Sequence, residues 1–366
     1  MKFFLSLLLF VCTGFAVNAQ STYTVTGKVL SAETGQPLQG ASVFAQNTTI
    51  GTATDADGNY TIYLPNGGYD LVVTFTGHNS ESRRVTTGNE ENRNVNFQLK
   101  QKEKEMVDVT VVASSEVKDG WEKYGSFFLD NFIGKTANSK DCTIKNPEIL
   151  KFFFSKRKNR LKVTAAEPLL IENKALGYTI KYALDSFTHE YATEVSLYAG
   201  FPLFEEMPPA NNEQLAQWAA NRQAAYQGSI LHFMRGVYNK DLKEQGFEIQ
   251  FVIKNNDNET AIKVKDFYGA LNYQRDDSAQ TVTIRPNQLN VGVIYSKEKP
   301  AKGFTEANPE EPKEFQFSVV TFQPNESITI EQNGYYYDQN DLAISAYWTW
   351  HKVADLLPYD YKPVVN

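Results

Sequence analysis

The residues best suited to hold a ligand crowd one end of the chain. Tyr335-Tyr336-Tyr337 lies in a polar turn rich in Asn and Gly, and Tyr347, Trp348 and Trp350 follow closely. Flat aromatic faces stack on sugar rings, and Asp338, Asn340 and Asp341 beside them could bond hydroxyls. Tyr335, Tyr336, Tyr337, Trp348 and Trp350 are therefore the candidate binding residues. The competing reading is ordinary core, because Tyr347 to Leu357 also fits a strand leading into a helix.

Residues that could do catalysis are scattered. His78-Asn79-Ser80-Glu81 has the H-x-x-E spacing of zinc ligands, with His189 downstream, but His78 and Glu81 fall in a turn-rich β segment. Asp55-Ala56-Asp57-Gly58 lacks the third ligand and the closing Glu of a calcium loop, so a plain turn is expected. Glu205 and Glu206 are neighbours in a strand-like stretch and would point to opposite faces, which suits paired acid and base work poorly. His232 and Arg235 share a helix face and read as a structural pair. There is no G-x-S-x-G elbow and no glycine-rich phosphate loop. No catalytic residue, metal or cofactor is expected; a hydrolase of unrecognised type is the alternative.

Charge and cysteine content narrow the class further. The 36 Lys and Arg against 43 Asp and Glu give a net charge of −7, which argues against binding driven by phosphate neutralisation, so no nucleic acid is expected. The one basic cluster, Lys156, Arg157, Lys158, Arg160 and Lys162, sits between strand-like stretches and reads as a solvated hairpin tip. Residues 1–19 form a charged start, an apolar block and Val17-Asn18-Ala19, the layout of a secretory signal cut between Ala19 and Gln20. The block is too short for a permanent anchor, and no later run approaches spanning length. Lipidation at Cys12 is the competing reading, because Leu9 stands three residues before it. Beyond the leader Cys142 stands alone, which precludes an intramolecular disulfide and fits a small buried hydrophobe. The expected address is the periplasm or the outer membrane.

The elements that must carry these residues are mostly strands. Tyr23, Val25 and Val29 alternate with Thr24, Thr26 and Lys28, and Tyr60-x-Ile62-x-Leu64, Tyr69-x-Leu71-x-Val73-x-Phe75 and Val95-x-Phe97-x-Leu99 repeat that period of two. Asp57-Gly58-Asn59 and Asn66-Gly67-Gly68 between them read as hairpin turns. The ordered set Thr26-Gly27-Lys28-Val29, Gly35 to Val43, Gly51 to Tyr60, Leu64 to Tyr69 and Phe75-Thr76-Gly77-His78 resembles the carboxypeptidase regulatory-like domain. That resemblance implies a transthyretin-like sandwich of about seven strands over residues 22–100, not itself catalytic. In Bacteroidetes such domains precede the plug of TonB-dependent receptors and head many other exported proteins.

Lys100 to Glu105 is charged and free of apolar residues, the composition of a solvated connector. Met106 to Ala113 resembles the extended segment that follows this domain in TonB-dependent receptors, although a strand of the next domain is the preferred reading. Asp119 and Glu122 fit a capping box, and Trp121, Tyr124, Phe128 and Phe132 recur at helical spacing. Asn212 to Tyr226, with Leu215, Trp218, Ala219 and Tyr226 on one stripe, and Ser229 to Gln245 read as two helices among strands. Gly177 to Ile180, Tyr226 to Arg235 and Val353 to Tyr361 are similar to pieces of otherwise uncharacterised Bacteroidetes proteins.

The expected organisation is a signal peptide at 1–19, a β-sandwich at 21–100, a charged linker at 101–106 and a mainly β domain at 107–366. Helices are expected in that last domain near 119–133, 212–245 and 350–357. The expected role is an exported, non-catalytic binding or assembly module contacting a glycan or an outer-membrane protein; the alternatives are a hydrolase of unrecognised type and an accessory partner of a TonB-dependent outer-membrane transporter.

Overall fold

The computed structural model describes residues 22–87, 93–102, 116–255, 258–337 and 341–364. The expected leader with its Ala19–Gln20 cut, Cys12, the segment Met106 to Ala113, and Asp338 and Asn340 lie outside the described residues.

Seven strands build the first body: β1 (Thr22–Ser31), β2 (Ser42–Ala45), β3 (Gly51–Ala53), β4 (Asn59–Pro65), β5 (Gly68–Thr74), β6 (Glu81–Thr86) and β7 (Phe97–Leu99). They form two facing sheets, ordered β4-β1-β7 and β3-β2-β5-β6. Alternation explains the layering, since Tyr23, Val25, Ile62 and Leu64 point into one core with Val43, Leu71 and Val73 of the other sheet. The two turns expected to close hairpins instead carry the chain between sheets: Asp57-Gly58 links β3 to β4, and Asn66-Gly67 links β4 to β5. Asp55 Oδ1 fixes the first arch by accepting from the backbone N–H of Asp57 (3.0 Å) and Asn59 (2.8 Å), which is what the Asp-rich motif is for. Gln101 and Lys102 are not free linker. Gln101 N–H donates to Glu33 Oε1 at 2.9 Å, and Lys102 N–H to the Gly77 carbonyl at 2.8 Å.

The second body sets a helix against a six-stranded sheet. Helix α1 (Gly120–Phe132) precedes β8 (Cys142–Ile144), β9 (Leu150–Ser155), β10 (Arg160–Ala165), β11 (Leu169–Asn173), β12 (Tyr178–Glu190) and β13 (Val195–Glu206). The order is β8-β11-β12-β10-β9, with β13 running along the whole of β12. Helical spacing brings Phe128 and Phe132 onto the sheet as expected, while Asp119 makes no side-chain cap, so no capping box forms. The basic cluster falls at the tip of the β9–β10 hairpin, where Ser155 pairs with Arg160.

Three helices follow: α2 (Asn212–Tyr226), α3 (Ile230–Asn239) and α4 (Leu242–Gln245). The single helix expected from Ser229 to Gln245 breaks where Lys240 adopts a left-handed conformation at φ 62°. Leu215 and Ala219 of the expected α2 stripe are exposed. α2 docks through polar groups instead: Trp218 Nε1–H, Asn221 Nδ2 and Arg222 Nε donate to the carbonyls of Lys174, Ala175 and Leu176 at 2.7–2.8 Å. Gly177 completes that socket at φ +69°, and a Cβ there would collide with the Trp218 ring.

The third body wraps α3 between two sheets. Its strands are β14 (Phe247–Asn255), β15 (Asn258–Lys263), β16 (Gln274–Asp276), β17 (Thr281–Ile284), β18 (Asn290–Tyr295), β19 (Gln316–Phe322), β20 (Ile328–Glu331) and β21 (Leu342–Ala346). Sheets β15-β14-β18-β19-β21 and β16-β17-β20 enclose Phe233, Met234 and Val237 of α3. The stretch after residue 107 thus holds two cores. The helix expected near 350–357 is replaced by two short 3-10 turns, Tyr347–Trp350 and Val353–Asp355. Ala346 at φ 61° and the extended Lys352 interrupt any longer helix, and Pro358 follows.

Candidate functional site at the junction of the three bodies

The sandwich is docked, not tethered. Asn47, itself left-handed at φ 54°, and Thr48 form a wedge between β13 and the chain's end. Asn47 N–H donates to the Pro202 carbonyl at 2.8 Å, and Phe204 N–H donates to the Thr48 carbonyl at 2.9 Å. On the other side Tyr359 N–H donates to the Asn47 carbonyl at 2.7 Å, and Asp360 accepts from the Thr49 amide at 3.0 Å and from its hydroxyl. Phe44 and Val72 on the sandwich's outer face close over Leu203.

A charged knot fixes the other edge. Arg84 of β6 donates through Nη2 to Glu331 Oε1 at 2.6 Å and through Nη1 to Asp70 Oδ1 at 3.3 Å. Its guanidinium lies 4.8 Å from the Tyr335 ring centroid and 4.0 Å from that of Tyr337. The two tyrosine hydroxyls donate to Asp70 and Glu331. Burial, reinforced by these carboxylates, raises both phenols and keeps them protonated donors. Tyr335 and Tyr337 are therefore joints between bodies.

Between wedge and knot lies a cavity of about 290 Å³. Tyr182, Tyr198, Tyr336, Tyr359 and Trp348 stand in its wall, together with the polar Gln46, Asn47, Ser229, His351, Lys352 and Asp355. Trp348 is 5% exposed and donates its Nε1–H to the Gly228 carbonyl at 2.7 Å. Trp350 sits apart, its ring edge-on to Phe304 at 5.9 Å. The structure thus divides the five candidate aromatics: Tyr335 and Tyr337 at the knot, Tyr336 and Trp348 in the cavity wall, Trp350 elsewhere. Arg84, Glu331, Asn47, Lys352 and Asp355 were missed. The one local signal was Asp355, an ionisable residue inside the apolar run Val353 to Leu357.

The other flagged groups have structural partners. Lys181 pairs with Glu205 at 2.6 Å and Arg222 with Glu206 at 2.9 Å, on opposite faces as strand geometry requires. His78 Nδ1 meets the Thr76 carbonyl at 3.2 Å, whereas His189 lies in the α1 core between Phe127 and Tyr191. Arg235 donates to the carbonyls of Asn333, Tyr359 and Tyr361 at 2.9–3.0 Å. Burial pushes the Cys142 thiol up to about 12, the state of an inert core residue.

His232 carries a pH dependence. Its Nδ1 accepts from the Gly228 N–H at 3.2 Å and its Nε2–H donates to Gln245 Oε1 at 3.0 Å, which requires a neutral ring. Burial above all holds its pKa below the usual 6.5. On acidification the unfolded chain takes up this proton first, so the contribution is complete above the unfolded value and is lost as pH falls through it. The melting temperature should drop from about pH 7.5 to about pH 5, and His232→Asn, which keeps an acceptor near Nδ1 but cannot titrate, should flatten that slope. Equal slopes would remove the imidazole from the account.

Residues 25–111 match the family model of the CarboxypepD_reg-like domain, eleven residues beyond the end expected at 100. The chain is 34% identical over 105 residues to TonB-dependent receptor P3 of Formosa agariphila, covering 29% of this chain and 10% of the receptor. It is 30% identical over 118 residues to TonB-dependent receptor P39 of the same organism, covering 32% and 11%. The chain thus spans about a tenth of the length of these curated relatives. Among solved structures, a DUF3823 family protein from Bacteroides ovatus is 14% identical at TM-score 0.18, covering 51% of this chain and 82% of that one. A putative membrane-associated protein of unknown function from Bacteroides fragilis is 13% identical at TM-score 0.17, covering 88% and 94%. No helix among the described residues is long and apolar enough to cross a membrane.

Proposed function

Because its first domain is a CarboxypepD_reg-like domain braced against the second and third bodies, we propose that this protein is an exported, non-catalytic binding and assembly module of the cell envelope. The partner is a glycan or an outer-membrane protein. The junction carries this reading: hydrogen bonds to both sides of Asn47 and the Arg84–Glu331 pair hold the sandwich in place, so a partner meets one fixed surface. The chemistry flagged in the sequence points the same way, since the carboxylates, His232 and Arg235 are spent on structure while an aromatic-walled cavity is left. The similarity to two TonB-dependent receptors over 105 and 118 residues favours the envelope as its address.

The test is fractionation of producing cells followed by purification of the native protein from the envelope fraction. Recovery there together with a glycan or a barrel protein is the expected result. Recovery of the uncut chain from the cytosol, or turnover of a peptide or glycan library, would refute the export or the non-catalytic part respectively.

A further inference from the structure

His189 ends a hydrogen-bond chain whose direction its neighbours dictate. Asn131 Nδ2 donates to the Phe127 carbonyl at 2.9 Å, one turn back along α1, and this orients the amide so that its Oδ1 meets Ser196 of β13. Ser196 Oγ stands 3.0 Å from that oxygen and 2.9 Å from His189 Nδ1. A hydroxyl has one hydrogen to give and an amide oxygen can only accept, so Ser196 donates to Asn131 and accepts from His189 Nδ1–H. A neutral ring with its hydrogen on Nδ1 has a bare Nε2. That Nε2 is buried with no hydrogen-bond partner among the described residues, and Glu194 Oε2 lies 3.7 Å from it. In the neutral ring, two acceptors therefore face each other.

Glu194 is also a strained choice for its position. It ends the turn between β12 and β13 at φ 54°, in the left-handed region that Gly or Asn adopts more easily. Turn chemistry alone does not select Glu there, whereas its carboxylate reaches His189. A proton on Nε2 converts the facing acceptors into a donor aimed at a carboxylate. The side chain of His189 is 2% exposed, so the charged ring loses hydration, which Glu194 and the steeply inclined rings of Phe127 and Tyr191, at 4.6 and 4.4 Å, offset.

The other titratable groups nearby do not take Glu194's place. From α1, Asp130 bonds Lys135 at 3.0 Å, Tyr124 is a phenol and Lys123 is exposed. Burial raises the Tyr191 phenol in the turn and pushes that of Tyr198 on β13 up to about 12. Arg160 of β10 pairs with Glu190 of β12 on the opposite face of the sheet, and Lys156, Arg157 and Lys158 at the neighbouring hairpin tip are exposed, where salt screens them.

We propose that His189 and Glu194 form an acid-operated clamp, in which a proton taken from solvent at Nε2 pairs the ring with Glu194 and ties the β12–β13 turn to α1 through Ser196 and Asn131. The clamp acts in the opposite sense to His232, whose folded ring is neutral. Its contribution is complete once acid has charged the histidine of the unfolded chain as well, and is lost as pH rises through the titration of the folded ring.

Nitrogen-15 NMR of the full-length protein, labelled at its four histidines, reads the hydrogen on each ring nitrogen, and His189→Gln identifies the resonances. At about pH 8 His189 should carry hydrogen on Nδ1 alone, and at about pH 5 on both nitrogens with the fold intact. Glu194 is 77% exposed, so its variants should fold and the screened contact should be modest. Glu194→Gln should melt with the wild type at about pH 8 and about 2 °C below it at about pH 5. Glu194→Gly, which also relieves the left-handed backbone, should melt at or above the wild type at the higher pH and below it at the lower. Hydrogen on Nε2 alone at about pH 8 would overturn the chain of donors. A folded ring still neutral at about pH 5, or Glu194 variants that keep the same offset from the wild type at both pH values, would overturn the clamp.

Discussion

Replacing Arg84 with Met should destabilise the folded chain by about 3–5 kcal/mol, because it leaves a carboxylate buried without its counter-ion. Glu331 is 2% exposed, and its Oε2 already has no hydrogen-bond partner among the described residues. Without Arg84, its Oε1 keeps only the Tyr337 hydroxyl. Asp70 is less exacting, since it is about a quarter exposed and water can take the guanidinium's place. The loss should therefore be mostly Glu331's. The double variant Arg84→Met, Glu331→Leu should recover much of it, because a buried ion pair replaced by packed apolar groups is often neutral. Urea unfolding followed by tryptophan fluorescence and circular dichroism measures both. As Arg84 belongs to the sandwich and Glu331 to β20, the single variant should also expose the junction to limited proteolysis. A loss below about 1 kcal/mol would mean that the knot is ordinary surface electrostatics.

What could be read from the chain, and what could not, divides by sequence distance. Strand alternation shows itself in a handful of residues, so the cores around Val25, Ile62 and Leu71 and around Val163, Ile171 and Ile180 were legible, as was the α1 face through Phe128 and Phe132. The mainly β class followed from that local signal, and the regulatory-like sandwich from the resemblance carried by the ordered motifs between Thr26 and His78. Arch and hairpin turns need the same Gly and Asn, which is why Asp57-Gly58 and Asn66-Gly67 gave the turn but not the sheet it joins. α2 misled because its anchor is Trp218 with Asn221 and Arg222 on backbone carbonyls, a polar docking that no apolar stripe records. The junction was illegible: Arg84 meets Glu331 across 247 residues and Thr49 meets Asp360 across 311. Nothing near either residue marks its partner, and the crowded aromatics at 335–350 revealed that something is packed there without revealing what.

Phe128→Ala should cost about 3–5 kcal/mol and loosen the second body as a whole. Phe128 is fully buried at the centre of an aromatic stack, parallel to Phe132 at 4.9 Å and edge-on to Phe187 at 5.1 Å and to Phe152 at 6.2 Å. Those contacts come from α1, β12 and β9, so one ring bridges the helix to two separate strands of the sheet. Truncation leaves a void among Phe132, Phe152 and Phe187 in an interior packed too densely to refill it without rearrangement. Phe128→Leu keeps much of the volume and should cost clearly less. The effect should stay local, because the sandwich core around Val25 and Leu64 contains no residue of α1. Hydrogen exchange can read this as lost protection in β9, β10 and β12 with β1 and β4 unchanged. Uniform loss of protection across all three bodies would instead show that the junction couples them into one cooperative unit, and the two-state treatment of Arg84→Met would then extend to the entire chain.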